Sequence, residues 1–179
     1  MSWTAPITWT TNQTVPAATL NAQLRDNLLE TAPGKATTAG AHFVATGANS
    51  IAQRLCQTAT VATNQDTGGT TGSYTNLPTA GPSITATTGV LAFSFAQCQM
   101  SNNTTDATTF FSVDISGATS DAAADARAAI WEDVADRDFR FTTTTLHSVT
   151  AGSNVFKIMY KCQSNIGVFS KRNLIVMPL

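Results

Sequence analysis

Two periodicities divide the chain. Near the start, Leu20, Leu24 and Leu28 recur every four residues and Ala17 extends the same stripe, while Asn21, Arg25 and Asp26 lie mainly off it. That spacing predicts one amphipathic helix over AATLNAQLRDNLLET, with Pro16 at its first position and Pro33-Gly34 as its stop. Upstream, the alternation of Trp3, Ala5, Ile7 and Trp9 in SWTAPITWT predicts an extended arm of the kind that grips a neighbour. Residues 35–55, rich in small residues and without a sustained period, read as a linker with a short strand at residues 42–45.

Beyond residue 55 the period becomes two. The runs CQTATVAT, PSITATTGVLAFSFAQCQM, TTFFSVDISG, RFTTTTLHSV, NVFKIMYKCQS and VFSKRNLIVMPL are β-branched or aromatic and are separated by Gly, Asn, Ser and Asp punctuation. They predict seven or eight strands, with PSITATTGVLAFSFAQCQM holding two strands, read as a hairpin, or one long bent one. In FKIMYK, Phe156, Ile158 and Tyr160 point one way and Lys157, Met159 and Lys161 the other, toward solvent. SDAAADARAAIWEDVAD breaks the pattern: its alanines suit a helix, and its place between strands suits an inserted loop. The expected architecture is mostly β, an antiparallel, jelly-roll-like β-sandwich knob over residues 56–179, preceded by a short N-terminal arm and α-helix over residues 1–34.

Composition sharpens this. Threonine is about one residue in six, well above ordinary usage, and its branched side chain favours pleated sheet over helix. Only 12% of residues are charged and the formal net charge is −1, with the ten Lys and Arg scattered, which argues against a nucleic-acid partner. No apolar run reaches the roughly 18 residues that a membrane helix needs, and MSWTAPITW lacks a secretion-signal pattern, so no membrane partner and cytoplasmic synthesis are expected. Cys56, Cys98 and Cys162 fit neither a disulfide framework nor a zinc site. They are expected to be reduced and partly buried, with a Cys98 to Cys162 bridge as the alternative.

Candidate chemistry is sparse. Glu132, Asp133, Asp136 and Asp138 lack the glycine turn and ligand ladder of a calcium loop and read as a solvated charged face; Asp121 and Asp125 read as ordinary surface. His42 and His147 sit in no nucleophile or zinc motif, and Gly68, Gly69 and Gly72 mark a flexible hairpin tip with no helix after it. No catalytic, cofactor or metal residues are expected. Tyr74 and Trp131 are the candidate receptor contacts, aromatics able to stack on a sugar ring, against the plainer reading of core residues. A fifteen-residue helix is marginal alone, so the leucine face wants a partner, and Trp3, Trp9, Leu20, Leu24 and Leu28 are the candidate assembly interface.

TWTTNQTVPAATLNAQLRDNLLET, with Thr8-Trp9, Leu20-Asn21 and the LRDNL of residues 24–28, resembles the opening segment of small virion proteins of tailed phages that infect actinobacteria. FVATGANSIAQR, the TAGSN turn of residues 150–154 and the ending RNLIVMPL resemble them too. The three cysteines and the stretch WEDVADRD depart from that pattern. The resemblance implies a non-enzymatic minor tail, fibre or capsid-decoration protein in the virion, commonly a homotrimer, whose partners are copies of itself and other virion proteins. A host-surface or carbohydrate-binding module is the alternative.

Overall fold

The structure, a computed structural model, describes residues 4–133 and 137–179. Trp3 and Asp136 lie outside them. The chain divides into two compact units, Met1–Leu55 and Cys56–Leu179.

In the first unit a helix runs over residues 17–29. Pro16 is the residue before the helix and not its first, with extended backbone and its carbonyl accepting from the Leu20 N–H at 3.0 Å. Asn21–Asp26 widen into π-helical turns, and Asn27–Leu29 return to α geometry. Helicity does not stop at Pro33-Gly34. A further turn, Ala32–Lys35, contains both residues, because a proline early in a turn lacks only an N–H that would have had no intrahelical partner. Gly34 permits the fold-back, since a Cβ there would lie 2.7 Å from the Leu28 carbonyl oxygen. The stretch expected as a linker carries a full antiparallel hairpin, β1 (His42–Gly47) and β2 (Ser50–Arg54), in which Phe43 pairs with Gln53 and Ala45 with Ile51. Small residues hid its alternation.

The second unit is an antiparallel sandwich. Its strands are β3 (Gln57–Val61), β4 (Gln65–Asp66), β5 (Ser83–Thr88), β6 (Leu91–Asn102), β7 (Ala107–Gly117), β8 (Ala129–Asp133), β9 (Phe139–Ser148), β10 (Gly152–Cys162) and β11 (Gly167–Pro178). One sheet has the order β5-β10-β7-β8 and the other β3-β11-β6-β9, with two-residue β4 beside β11. Setting β4 aside and counting eight strands in chain order, the sheets read 2-7-4-5 and 1-8-3-6. That is the double Greek-key winding of a jelly roll.

Apart from the β7–β8 hairpin, consecutive strands alternate between sheets, and this corrects the hairpin expected further upstream: β5 and β6 lie in opposite sheets, joined through Gly89-Val90. Gly89 donates its N–H to the Leu179 carbonyl at 2.7 Å, and a Cβ at this residue would collide with that same oxygen. The core between the sheets is built from alternating positions, including Ile84, Ala92, Ala96, Met100, Phe111, Val113, Ile115, Phe156, Ile158, Tyr160, Phe169, Leu174 and Val176, each at most 4% exposed. At full burial such side chains contribute about 1.5–3 kcal/mol apiece for the larger aliphatics and phenylalanine. The alanine-rich segment is neither a helix nor a plain loop. Residues 118–128 lie as a loop with one 3₁₀ turn, Asp125–Arg127, and then enter strand β8.

One buried charge ties a long loop to this frame. A bulge in β11 between Ser170 and Asn173, with Lys171 at φ +49°, turns Arg172 into the interior, where it is 0% exposed. Its guanidinium donates to the Thr79 carbonyl at 3.1 Å and the Thr63 carbonyl at 3.2 Å, fastening both ends of the long connection that leaves β3 and enters β5.

Candidate functional site

The first candidate surface is on the helix. Leu20, Leu24 and Leu28 are 45%, 56% and 65% exposed, and Leu29 is also exposed. Beside them one polar edge of the helix is covered: Asn27 is 4% exposed and Gln23 is half-buried, while Asn21 and Arg25 are exposed. The reason lies in the arm. Asn27 Oδ1 accepts from the Thr4 N–H at 2.8 Å, its Nδ2 donates to the Thr4 carbonyl at 3.1 Å, and Gln23 Nε2 donates to the Ala5 carbonyl at 3.1 Å. The two amides, four residues apart on one face, give the arm's backbone the partners a neighbouring strand would supply. The start of the arm is thus held by its own helix, while Ile7 and Trp9 remain exposed. Sequence reading missed Gln23 and Asn27; the available signal was a pair of carboxamides with helical spacing along the flank of the leucine row.

The second candidate surface is a cleft of about 430 Å³ on the outward face of the sheet β5-β10-β7-β8. Asp114 of β7 and Met159 and Lys161 of β10 form its floor, residues 72–74 one wall and residues 122–125 the other. Beyond the end of β5, residues 71–75 run beside β10, with Thr75 and Tyr160 exchanging backbone hydrogen bonds at 2.8 and 3.0 Å. The other wall is pinned by mutual hydrogen bonds between Ile115 and Asp121 at 2.9 Å and by Ser112 Oγ donating to the Ala124 carbonyl at 3.1 Å.

Across the cleft, Lys161 Nζ donates to Asp125 at 2.5 and 2.6 Å, and the Tyr74 hydroxyl donates to the same carboxylate at 3.0 Å. Lys161 was expected to face solvent but is 7% exposed, because the residue 118–128 loop and Tyr74 cover it and its ammonium sits 4.1 Å from the Phe110 ring centroid. Asp125, read as plain surface, is the hub. The hydrogen bond from Lys161, with a second from Tyr74, holds its carboxyl below the usual carboxylate range. Burial, then the bond to Asp125, pushes the Tyr74 phenol well above its ordinary value.

Trp131 lies in β8 against Phe139 and Phe141 of β9, at centroid distances of 4.3 and 5.3 Å, at the edge of the core. Tyr74 and Trp131 are not brought into one site. Glu132 and Asp138 are exposed, and among the described residues no group of three or more His, Cys, Asp or Glu stands close enough to hold a metal ion. Cys98 and Cys162 are buried and unpaired, whereas Cys56 is exposed. Burial pushes the Cys98 thiol up to about 12.

The interior holds a serine–histidine pair. Ser94 Oγ and His147 Nε2 are 2.8 Å apart, and His147 Nδ1 is 4.0 Å from Asp121 Oδ2. The order of atoms is that of a hydrolase triad, but Ser94 is 1% and His147 3% exposed, between the sheets. The carboxylate is also beyond hydrogen-bond range of the ring and is bound instead by Arg127 at 3.0 Å. No substrate can reach that hydroxyl in the folded state. The pair satisfies two buried polar groups.

No family model matches the chain, and no curated protein matches it. Among solved structures, one described as the structure of infectious bursal disease virus, Gx strain, is similar at 10% identity and a TM-score of 0.38, over 70% of this chain and 38% of that one. The chain thus spans well under half the length of that neighbour. The jelly-roll assignment rests on the strand order itself.

Proposed function

We propose that the chain is a non-enzymatic structural component of a tailed-phage particle, a minor tail, fibre-like or capsid-decoration protein, in which the first unit attaches and trimerises and the jelly roll is the displayed knob. The observation that carries this reading is the open leucine row, left exposed while Gln23 and Asn27 of the same helix are spent on its own arm. Burying what remains exposed of Leu20, Leu24 and Leu28 is worth roughly 2.5–5 kcal/mol per chain, and the same helix of other copies is the natural cover. The resemblance of residues 8–31 to the opening of phage virion proteins supports the particle assignment, and a jelly roll suits a displayed knob, although that fold alone serves many functions.

Particles purified from infected actinobacterial cultures and probed with antibody against residues 56–179 test the placement. Labelling at a regular position on capsid or tail is expected. Absence of the chain from purified particles would overturn it.

A second reading, a host-surface or carbohydrate-binding module, is favoured by one observation: Tyr74 borders a formed cleft.

A further inference from the structure

We propose that the cleft over Asp114 and Met159, beside the Tyr74–Asp125 hydrogen bond, binds a single sugar unit, or a similarly sized neutral polyhydroxyl group, through the Asp114 carboxylate. The inference rests on the second reading above and names its ligand class and residues. A volume of about 430 Å³ falls in the range of small-molecule sites.

Charge excludes the ionic classes. Asp125 is matched by Lys161, and Asp114 stands opposite Lys157 in the β7–β10 register. Lys157 stands outside the lining but next to Asp114 on the adjacent strand, so the charges around the cleft balance and leave no strong net field to select an anion or a cation. A divalent cation would need six to eight oxygens, and Lys161 already occupies the Asp125 carboxylate. An apolar ligand would strand Asp114 without water, since among the described residues its carboxylate makes no hydrogen bond and no ion pair as short as 4 Å, Lys157 supplying charge from a distance.

A polyol matches what is left. Asp114 has two free oxygens, each able to accept from hydroxyls, and Ser73 supplies a further hydroxyl at the wall. Met159, the Tyr74 ring edge and the alanines at residues 122–124 offer apolar surface to the carbon face of a sugar ring. The site is also pre-organised. Lys161 and Tyr74 are locked on Asp125, and Ser112 locks Ala124, so binding orders few new groups.

The test is an NMR titration of the full chain with glucose, galactose, mannose, rhamnose and N-acetylglucosamine, with methylammonium and inorganic phosphate as ionic controls. At least one sugar is expected to shift the amides of residues 72–74 and 122–125 with a dissociation constant on the order of millimolar. Asp114→Ala is expected to weaken that binding tenfold or more while the remaining amide spectrum stays in place, and Met159→Ala to weaken it several-fold. The proposal is overturned if no sugar gives localised shifts, if Asp114→Ala binds unchanged, or if only an ionic control binds. Pull-down on purified cell walls separates the two readings: wall binding without cleft shifts sinks this site and spares the module, and absence of both sinks the two together.

Discussion

The arm's attachment to its own helix can be tested at one residue. Asn27 bonds both backbone groups of Thr4, at 2.8 and 3.1 Å, in a partly buried setting. Asn27→Ala removes both bonds and leaves the Thr4 N–H and carbonyl to water. At about 0.5–1.5 kcal/mol net per bond, the arm should lose about 2 kcal/mol of local stability, which is roughly a 30-fold rise in the population of the open arm. Hydrogen exchange at the Thr4 amide reads that directly, and its protection should fall by that factor while amides of β6 and β11 are unchanged. Asn27→Asp keeps the acceptor for Thr4 and loses the donor, so it should fall about halfway on a logarithmic scale. Unchanged Thr4 protection in Asn27→Ala would refute the latch.

Further predictions concern the knob. Burial, reinforced by the Arg127 charge, holds the His147 imidazole below its ordinary value, against the pull of Asp121. The unfolded chain therefore binds the proton first, so stability is full above about pH 6.5 and declines as pH falls through and below it; thermal melts of wild type and His147→Gln across pH 7.5 to 5 should show the shallower decline in the variant. Gly89→Ala drives a methyl group into the Leu179 backbone and should cost about 1–3 kcal/mol in urea unfolding. Leu174→Ala, at a site 0% exposed, should cost about 2–5 kcal/mol by the same measure.

The positions of most strands were legible in the chain, because two-residue alternation bounded by Gly and Asn punctuation is a local property. Partnership was not: in a jelly roll β5 belongs beside β10, some seventy residues on, and nothing in ITATT or LAFSF records it. Strand β8 was obscured by its alanine-rich approach, and its pairing with β7 supplies the stability that intrinsic propensity does not. Lys161 and Arg172 show the same limit for charge. Alternation put Lys161 outside correctly as to face, but a loop from elsewhere covers that face. The polar run Ser170-Lys171-Arg172-Asn173, which interrupts an otherwise apolar strand, was the visible trace of a bulge. At the helix, leucine spacing located the stripe, while the arm packed beside it depends on side-chain amides whose partners are backbone atoms 18 and 23 residues away.

Sedimentation equilibrium of the full chain beside Leu24→Asp tests the central claim, that the leucine row joins copies of the chain. Wild type should sediment near 56 kDa, about three times the 18.8 kDa of one chain, and the variant near the single-chain mass with its sheet circular dichroism retained, because a charge cannot be buried there unpaired. A wild-type chain that stays at 18.8 kDa at high micromolar concentration, or a variant that still sediments as a trimer, would contradict the account.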